Sequence, residues 1–366
     1  MKEIRLAVIP GDGIGKEVVP AGQKVLDAVA EVHGGFRFRY ETYEWSCEYY
    51  TKHGRMMPEN GLDLLRPHDA IFLGAVGYPD VPDHVSLWGL LLPIRRTFQQ
   101  YINLRPVKLL PGIRTPLANR RPEDIDFLVV RENSEGEYSN MGGRLHQGLS
   151  QEVAVQNTVF TRFGVERVIR YAFELARKTG RKRVSSATKS NGINYVFPFW
   201  DDVFSAVAKE YPDIQADQFH IDALCARFVT YPQHFDVVVG SNLFGDILTD
   251  LGAAIAGSIG IAPSANLNPE HEYPSMFEPV HGSAPDIAGK GIANPMGQIW
   301  CAAMMLEHLG FPASGDLVMK ALTDVIADGI STPDVGGRAN TIEVTDAICR
   351  KIRDREEYVQ VRATES

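Results

Sequence analysis

The chain contains 366 residues, of which 44% are apolar and 23% are charged, and it carries a net charge of −9. Such a chain fits one large or two medium domains of an ordinary globular protein. Its acidic charge argues against a nucleic-acid partner, because the basic clusters are too short to form a phosphate-binding surface.

Short apolar strands alternate with longer helices along the chain, which predicts an α/β fold with a largely parallel central sheet. The predicted strands cover residues 4–9, 70–73, 127–130, 184–187 and 235–239. The predicted helices cover residues 15–31, 87–99, 165–178, 197–210, 297–308 and 315–328.

Two further features bear on where the protein works. No apolar run reaches the length of a membrane span, and the first strand follows the N-terminus without an apolar signal segment. The cysteines Cys47, Cys225, Cys301 and Cys349 are scattered without C-x-x-C spacing, which argues against zinc and favours reduced thiols. We therefore expect a cytoplasmic protein that has no membrane partner.

Polar or glycine residues cluster directly after the predicted strands. In open α/β sheets, ligands gather beyond the carboxyl ends of the strands, so these clusters could line one cleft, although loops are polar in general. The clusters are Gly11-Asp12-Gly13, Gly74, Arg131-Glu132-Asn133, Lys189-Ser190-Asn191 and Ser241-Asn242.

The glycine-rich stretch 10–16 resembles a dinucleotide fingerprint only superficially. It follows a strand and opens a helix, but the G-x-G-x-x-G pattern requires glycine where Lys16 stands. We interpret it as a tight strand-to-helix turn rather than as a Rossmann phosphate loop.

A pair of aspartates, Asp246 and Asp250, follows an apolar strand and lies in the first turns of an apolar helix. At a spacing of four residues both carboxylates leave one helix face, where they could share a divalent cation. A third candidate is Asp222, in a short apolar segment where an unpaired carboxylate would be costly. Three carboxylates would suit Mg²⁺ or Mn²⁺. The alternative is that these aspartates are helix caps or solvated acids.

Three arginines form a second group of candidates. Arg95 lies on a helix, Arg105 follows in Asn-Leu-Arg-Pro, and Arg131 follows a strand. Guanidinium groups bind carboxylates with two parallel hydrogen bonds, so their convergence would indicate a di- or tricarboxylate substrate. Each arginine could instead form a surface salt bridge.

Two further segments carry side chains suited to catalysis and cofactor binding. Tyr138 and Lys189 are a plausible acid and base, since positive neighbours and burial lower the proton affinity of a lysine. The run Glu278–Gly289 is rich in loop-forming residues, and Asp286 could accept hydrogen bonds from ribose hydroxyls and repel a 2′-phosphate. The alternative is a structural loop followed by a helix start at Asn294-Pro295.

With these motifs, the chain resembles the β-decarboxylating dehydrogenases, the family of 3-isopropylmalate, isocitrate, homoisocitrate and tartrate/D-malate dehydrogenases. The resemblance runs from Ile9-Pro10-Gly11-Asp12-Gly13-Ile14-Gly15 to Thr332-Pro333-Asp334-Val335-Gly336-Gly337. Its most specific stretches are 240–260 and 278–295.

The resemblance implies a two-domain α/β fold with a large mixed, mostly parallel sheet that is not of the Rossmann type. Residues 1–101 plus 258–366 would form the cofactor domain, and residues 102–257 the metal, substrate and dimerisation domain. Family members are homodimers with shared active sites, so Asp222 and Lys189 would serve the partner's site.

The resemblance also implies a role for each candidate residue. Asp222, Asp246 and Asp250 would bind Mn²⁺ or Mg²⁺, and Arg95, Arg105 and Arg131 the substrate carboxylates. Lys189 would accept the proton of the C2 hydroxyl, and Tyr138 would protonate C3 after CO₂ is lost. The residues matched to the cofactor are Asn191, Glu278, His281, Gly282, Ser283, Ala284, Asp286, Ile287 and Asn294. The pair Asp286-Ile287 resembles that of NAD-using members.

The helix before Arg95 bears on the substrate. Counting back from Arg95, Trp88 falls where 3-isopropylmalate enzymes usually carry glutamate and isocitrate enzymes favour serine. A large apolar indole could close the pocket around a four-carbon acid, and the segment 86–95 is most similar to the tartrate/D-malate branch. Trp88 could instead merely pack the helix.

We therefore expect NAD-dependent oxidation and β-decarboxylation of D-malate and tartrate, small 2-hydroxy dicarboxylic acids. The alternative within the family is 3-isopropylmalate. A non-redox metal hydrolase would leave the segment 278–295 unexplained, and a pure binding protein would need no general base. The sequence does not determine which of these substrates is preferred, whether K⁺ is required, or whether the protein is a dimer or a tetramer.

Overall fold

The computed structural model describes residues 1–354, which divide into two compact units. Unit 1 comprises Met1–Gln100, Leu109–Ala118 and the residues from Ala253 onward, and unit 2 comprises Tyr101–Lys108 and Asn119–Gly252. The functional domains expected over 1–101 plus 258–366 and over 102–257 stay a prediction, whose residues 355–366 lie outside the described part.

The strands are β1 (Lys2–Gly11), β2 (Phe36–Thr42), β3 (Ala70–Ala75), β4 (Ile102–Lys108), β5 (Asp126–Glu132), β6 (Gly142–Leu145), β7 (Val153–Gln156), β8 (Arg183–Thr188), β9 (Gln215–His220), β10 (Val237–Gly240), β11 (Pro263–Leu267) and β12 (Ser275–Pro279). The helices are α1 (Gly15–His33), α2 (Cys47–His53), α3 (Gly61–Leu65), α4 (Asp83–Ser86), α5 (Leu92–Thr97), α6 (Arg162–Lys178), α7 (Val196–Ala208), α8 (Ile221–Thr230), α9 (Asn242–Ile255), α10 (Met296–His308), α11 (Pro312–Ala327) and α12 (Thr341–Arg353). A π-helical turn, Leu87–Leu91, joins α4 to α5.

The strands of unit 1 lie in the order β2-β1-β3-β12-β11. They are parallel except for the pair β11–β12. Strand β3 is buried along its whole length, as expected for a strand covered on both faces. Helix α1 packs so closely on one face that a Cβ at Gly22 would lie 2.7 Å from the ring of Phe72. On the other face, Ile71 packs in a core with Leu90 and Ile94 from the segment before and within α5.

The strands of unit 2 lie in the order β4-β5-β10-β8-β9, and only the pair β4–β5 is antiparallel. Its core includes Phe127, Phe173, Trp200 and Phe228, all fully buried. Because β5, β10 and β8 are adjacent and parallel, the polar residues after them emerge at one edge, as the sequence predicts for this half of the chain. Strands β6 and β7 form a separate two-stranded hairpin with exposed residues.

The α/β class with a mostly parallel, mixed strand arrangement is confirmed, since each unit combines parallel strands with one antiparallel pair. The strand order of each unit differs from the doubly wound order of a Rossmann domain. Within the described range, no helix is both long and apolar enough to cross a membrane. The continuous helix predicted over 87–99 is wrong, because the π-helical turn interrupts it.

The tight turn predicted after β1 is confirmed. Gly11 and Gly13 have φ angles of +73° and +53°, and a Cβ at Gly13 would lie 2.0 Å from the carbonyl oxygen of Ser283. The N–H of Asp12 donates to Ala75 O and that of Ile14 to Ser283 O, at 2.7 and 2.8 Å. These N–H groups are therefore engaged within the protein and do not form the phosphate cradle of a Rossmann loop.

Candidate functional site

Helix α9 presents polar side chains at intervals of three and four residues along one face, namely Asn242, Asp246, Thr249 and Asp250. Its first turn is held by other groups. Ser241 Oγ donates to one carboxylate oxygen of Glu137 at 2.7 Å, and the N–H of Leu243 donates to the other at 3.1 Å. The alternative that the two aspartates are caps is therefore wrong, because Glu137 and Ser241 bind at the helix N-terminus.

Two buried arginines of unit 2 converge on this face. Arg131, whose side chain is 3% exposed, donates from Nε and Nη2 to Asn242 Oδ1 at 3.1 and 2.7 Å, and from Nη1 to Asp246. Arg105 Nη1 donates to Thr249 Oγ1 at 2.7 Å and lies 3.3 Å from Asp246 Oδ1. The two guanidinium groups thus flank one carboxylate.

The antiparallel pairing of β4 with β5 explains this convergence. Asn103 lies opposite Arg131 in the register, and Arg105 is two residues further along β4, so both arginines emerge on the same face as diagonal neighbours. The approach of α9 also requires a glycine, since a Cβ at Gly245 would lie 2.5 Å from Cβ of Arg131. Such close contact allows the guanidinium to reach Asn242 and Asp246.

Tyr138 joins the same carboxylate from the loop after β5. Its hydroxyl donates to Asp246 Oδ2 at 3.1 Å, and the guanidinium carbon of Arg131 lies 5.6 Å from the centre of its ring. Asp246 therefore accepts hydrogen bonds from two arginines and a tyrosine, three residues that sequence spacing alone could not bring together.

The aspartate pair has the donor chemistry that a divalent cation requires. Partial loss of hydration and the nearby charge of Asp246 raise the pKa of Asp250, whereas the charges of Arg105 and Arg131 oppose that rise. A cation between two carboxylates would relieve this repulsion. Among residues 1–354 of one copy, no group of three or more His, Cys, Asp and Glu side chains is arranged to hold a metal. The two carboxylates of this pair can bind a divalent cation, but they do not complete its coordination shell.

Lys189 and Asp222 form a second pair within unit 2. Lys189 Nζ, in the loop after β8, donates to Asp222 Oδ1, at the start of α8, at 2.9 Å. This hydrogen bond lowers the pKa of Asp222. The expectation that Asp222 sits in an apolar surrounding is wrong, because its side chain is 69% exposed on the first turn of α8. Asn191, two residues after Lys189, is also exposed.

In unit 1, Arg95 is held by the side chain of Glu278. Arg95 Nη2 donates to Glu278 Oε1 at 2.7 Å, and the same oxygen accepts a hydrogen bond from Asn266 Nδ2 at 2.8 Å. Both side chains are buried, and Nε of Arg95 has no hydrogen-bond partner among the described residues. A buried guanidinium with an unused donor is suited to a ligand carboxylate. Glu278 orients this arginine, and its expected contact with the cofactor stays a prediction.

Trp88 lies on the π-helical turn and is partly buried. The guanidinium carbon of its neighbour Arg96, not that of Arg95, lies over the indole ring, 4.9 Å from its centre. Trp88 and Arg95 therefore contact different side chains of unit 1, namely Arg96 and Glu278.

The expected cofactor loop of unit 1 begins at His281. Burial lowers the pKa of this imidazole, which is 8% exposed, and its Nδ1 lies 3.0 Å from Gly282 O. Its Nε2 has no hydrogen-bond partner among the described residues. Ala284 has a φ of +41°, a strained conformation for a residue other than glycine. Unused buried nitrogen atoms and local strain are frequent where a ligand binds.

The rest of this loop is anchored on α1 and α10. Ile287 packs against Ile14 and Val18, whereas the neighbouring Asp286 is exposed. Asn294 Oδ1 accepts a hydrogen bond from the N–H of Met296, the first residue of α10, at 2.9 Å, next to the N-cap residue Pro295. The Ser283 carbonyl accepts the N–H of Ile14. Beside the loop, a cavity of about 480 Å³ is lined by residues that include Gly13, Lys16, Tyr78, Pro285 and Ala288.

Sequence reasoning missed several residues of these arrangements. Asn242 and Thr249 share the α9 face and could have been found from their spacing to Asp246, as helical neighbours three or four residues apart. Asp334 accepts hydrogen bonds from Asn294, Ser258 and Thr332. No local spacing could have revealed this last role, since Asn294 lies 40 residues from Asp334.

Comparisons with known proteins agree with this architecture. The family model described as "Isocitrate/isopropylmalate dehydrogenase" matches residues 5–348. A probable tartrate dehydrogenase/decarboxylase of Bacillus subtilis is 59% identical over 354 residues, covering 96% of this chain and 99% of that protein. A D-malate dehydrogenase (decarboxylating) of Escherichia coli is 59% identical over 359 residues, with the same coverage of 96% and 99%. The crystal structure of isocitrate dehydrogenase from Methylococcus capsulatus superposes with a TM-score of 0.86 at 36% identity, covering 96% of this chain and 100% of that one.

Proposed function

Since the chain belongs to the isocitrate/isopropylmalate dehydrogenase family and is a decarboxylating dehydrogenase, we propose that it oxidises and β-decarboxylates D-malate and tartrate with NAD as hydride acceptor. The observation that carries this proposal is the carboxylate of Asp246, which accepts hydrogen bonds from Arg105, Arg131 and Tyr138. This reaction requires guanidinium groups that bind the carboxylates of the diacid, a hydroxyl that can donate a proton, and a carboxylate that can hold a cation.

Arginines are proposed to bind the substrate. Arg105 and Arg131 have rigid partners, Thr249 and Asn242, that fix the planes of their guanidinium groups. A diacid with two carboxylates can take over the hydrogen bonds that Asp246 accepts, because guanidinium–carboxylate pairing is planar and bidentate. Arg95 is proposed to bind a further carboxylate oxygen through its unused Nε.

Asp246 and Asp250, with Asp222 of a second copy, are proposed to hold Mn²⁺ or Mg²⁺. When bound, the cation would withdraw electron density from the C2 oxygen and stabilise negative charge developing beside it. The raised pKa of Asp250 supports this assignment, since an adjacent positive charge would favour the ionised form of that carboxylate.

Proton transfers are assigned to Lys189 and Tyr138. Lys189 of the second copy would accept the proton of the C2 hydroxyl, and NAD, when bound, would supply the hydride acceptor for oxidation at C2, which would give a β-keto acid. Loss of CO₂ from the β-carboxylate leaves an electron pair at C3, and the Tyr138 hydroxyl protonates that carbon. Tyr138 is suited to this because its hydroxyl lies 3.1 Å from Asp246 and its ring beside Arg131, within the residues proposed to bind the diacid.

The loop from His281 to Asn294 is proposed to bind the adenosine half of NAD. The partnerless Nε2 of His281 supplies a buried hydrogen-bonding atom. The exposed carboxylate of Asp286 could bind ribose hydroxyls and would repel a 2′-phosphate, which favours NAD over NADP. Gly282, Ser283, Ala284 and Ile287 would shape the loop, and Asn191 is proposed as a further cofactor contact.

A homodimer with shared sites is proposed from the exposed surface of unit 2. Met141, Leu145, Leu149, Val153 and Val155, in and around the β6–β7 hairpin, are between 47% and 66% exposed. A contiguous set of exposed apolar side chains is typical of a surface that associates. The pair of the partly buried Lys189 and the exposed Asp222 would supply the second copy with the base and the third carboxylate.

One panel of assays tests this function. We expect absorbance at 340 nm and CO₂ release with D-malate and tartrate, with NAD and Mn²⁺, and much weaker turnover of 3-isopropylmalate and D-isocitrate. A preference for 3-isopropylmalate would change the substrate that we propose, but the proposed reaction would stay the same. Failure to reduce NAD with every 2-hydroxy diacid, without a thermal shift on adding NAD and Mn²⁺, would contradict the proposal and favour a non-redox metal enzyme.

A further inference from the structure

The end of β5 and the loop after it contain three glutamates that the proposed function does not use, Glu132, Glu135 and Glu137. Glu132 accepts hydrogen bonds from the N–H groups of Ser134 and Glu135 at 2.8 and 2.9 Å, within the same segment. Glu135 accepts the N–H and the hydroxyl of Thr161, the N-cap of α6, at 2.8 and 2.9 Å. These two carboxylates hold the segment on itself and on α6.

Glu137 instead binds the helix that carries the aspartate pair. Its Oε1 accepts a hydrogen bond from Ser241 Oγ at 2.7 Å, and its Oε2 accepts one from the N–H of Leu243 at 3.1 Å. A carboxylate is stabilised at this position, because the first N–H groups of a helix have no partner within it and the helix dipole is positive there. Glu137 lies 104 residues before Ser241, so these bonds attach the loop to the start of α9.

Tyr138, the next residue, contacts α9 about one turn further on. Its hydroxyl donates to Asp246 Oδ2 at 3.1 Å, and Asp246 lies three residues after Leu243, about 4.5 Å along the helix axis. Two consecutive residues of the loop are therefore attached to the same helix at two points along its axis. Such an attachment fixes both the distance and the direction of the tyrosine hydroxyl relative to α9.

The residue before Glu137 is a glycine in a left-handed conformation. Gly136 has a φ of +80°, which glycine adopts at little cost. A Cβ there would lie 3.1 Å from Cε1 of Phe160 and 3.6 Å from Cβ of Asn242, so the loop passes close to the start of α9. The N–H of Gly136 donates to Val159 O at 2.9 Å, which holds the backbone up to this residue. Beyond it, the side chain of Glu137 supplies the next attachment.

We propose that Glu137 is a positioning residue for the protonation of C3, because its bonds to the start of α9 hold the Tyr138 hydroxyl in place beside Asp246. When the bond to the β-carboxylate breaks and CO₂ leaves, the electron pair stays on C3 and takes the proton of the Tyr138 hydroxyl, which is then restored from water. A proton donor must lie within hydrogen-bond reach of the accepting atom, so a displaced tyrosine slows this step. Glu137 acts through Tyr138 and is not itself a catalytic residue. This inference rests on the proposed function, because it concerns the last step of that reaction.

The test follows two products of a single turnover of D-malate with NAD and Mn²⁺, with the enzyme in excess. NADH formation reports oxidation at C2, and formation of pyruvate, the keto acid that remains after CO₂ is lost, reports protonation at C3. In unsubstituted protein the two products should form together. In Glu137→Ala, NADH formation should stay within about 3-fold of the unsubstituted rate, whereas pyruvate formation should slow by roughly 10- to 100-fold.

Glu137→Gln is the conservative variant. Its amide oxygen can accept the N–H of Leu243, and its amide nitrogen can donate to Ser241 Oγ, because a hydroxyl both donates and accepts hydrogen bonds. Both attachments remain without the charge. Pyruvate formation should therefore return to within about 3-fold of the unsubstituted rate.

Asn340→Ala is the matched control for the loss of a helix cap. Asn340 caps α12 in unit 1, where its side chain accepts the N–H of Glu343 at 2.9 Å. Its loss should lower the urea midpoint, as the loss of Glu137 should, because both remove bonds at a helix N-terminus. NADH and pyruvate should nevertheless still form together in Asn340→Ala.

A second measurement needs no cofactor. Amide hydrogen exchange at the start of α9 reports the bond from the N–H of Leu243 to Glu137 directly. Exchange there should be faster in Glu137→Ala than in unsubstituted protein, and it should be unchanged in Glu137→Gln and in Asn340→Ala.

The outcomes separate this inference from the proposed function. Pyruvate that forms together with NADH in Glu137→Ala overturns the positioning role, and so does an equal delay in Glu137→Gln, which would show that the charge matters and the attachment does not. If Glu137→Ala does not fold, Ser241→Ala removes one of the two attachments and should delay pyruvate by a smaller factor, and no delay overturns the role. Unsubstituted protein that reduces no NAD with any 2-hydroxy diacid overturns the proposed function, and the inference with it, before any variant is made.

Discussion

The candidate site residues of the two units are held in different ways. In unit 2, Asp246 accepts hydrogen bonds from Arg105, Arg131 and Tyr138, so these side chains are already paired with one another within the fold. In unit 1, Nε of Arg95 and Nε2 of His281 are buried and have no hydrogen-bond partner among residues 1–354.

The two arrangements differ in how a ligand can form hydrogen bonds with them. An internally paired cluster keeps its side chains oriented, and a ligand must exchange partners with it. A buried atom without a partner destabilises the protein by about 1–3 kcal/mol until a ligand supplies the missing bond. The Asp246 cluster of unit 2 is therefore fixed by its own hydrogen bonds, whereas Arg95 and His281 of unit 1 each have one buried nitrogen available to a ligand.

The largest effect is expected from breaking the cluster of unit 2. Asp246→Asn leaves two buried guanidinium groups without their carboxylate, which should destabilise the protein by about 3 kcal/mol and lower kcat/KM roughly 10²–10³-fold. Urea unfolding and NAD reduction measure the two effects. In the control Asp213→Asn, the exposed pair with Arg177 is lost, and activity should not change. Equal urea midpoints for the two variants would contradict a structural role for the cluster.

A smaller effect is expected at the unsatisfied group of unit 1. Arg95→Gln should lower kcat/KM for the diacid by about 10- to 100-fold, since hydrogen bonds to charged groups are worth about 1.5–3 kcal/mol. KM for NAD should stay within about 3-fold, because the interaction lost is with a carboxylate. The neighbouring Arg96→Gln is the matched control and should have a weaker effect. A rise in KM for NAD alone would show that Arg95 serves the cofactor instead.

The smallest effect on activity is expected at Glu132, a carboxyl group of unit 2 that should change the stability of the protein with pH. It is fully buried and accepts hydrogen bonds from Ser134 and Glu135, and burial raises its pKa from 4.5 to about 7. Between these values the folded state binds more protons than the unfolded state. Glu132 therefore contributes most stability below pH 4.5, and this is lost as the pH rises through 7.

The measurement is urea unfolding at several pH values from 4.5 to 7. The contribution of Glu132 should fall by at most about 1.4 kcal/mol per pH unit. Glu132→Gln removes the titrating group, so the difference between the two stability curves should change across this range. Parallel curves would show that the carboxyl group titrates normally in the folded protein.

Much of the fold could be predicted from the sequence, because it follows from local periodicity. The helix predicted over 15–31 corresponds to α1, and the apolar strands before Arg131 and Ser241 correspond to β5 and β10. Strand β9 and the hairpin β6–β7 were missed, since their exposed residues lack an apolar run. The π-helical turn was missed as well, because the five-residue spacing of Val85 and Leu90 depends on tertiary packing.

The candidate site divides in the same way. The shared face of Asp246 and Asp250 follows from a spacing of four residues and could be read directly. The position of Arg105 depends on its strand register with β5, and that of Arg131 on the close approach allowed by Gly245. The exposure of Asp222 depends on which side of α8 faces solvent. None of these is encoded in a local spacing.

The hydrogen bond from the N–H of Ile14 to the carbonyl oxygen of Ser283 has a consequence for the order in which parts of the chain fold during synthesis. During synthesis, the residues of unit 2 are complete at Gly252, whereas unit 1 still lacks the segment from Ala253 onward. Strand β12, which pairs with β3, and helix α12, which packs on α1, both belong to that segment. Contacts between residues so distant in sequence form slowly, because the entropic cost of closing the long loop between them precedes the gain from the contact. The glycine turn after β1 thus completes its contacts only after residue 283 has been synthesised.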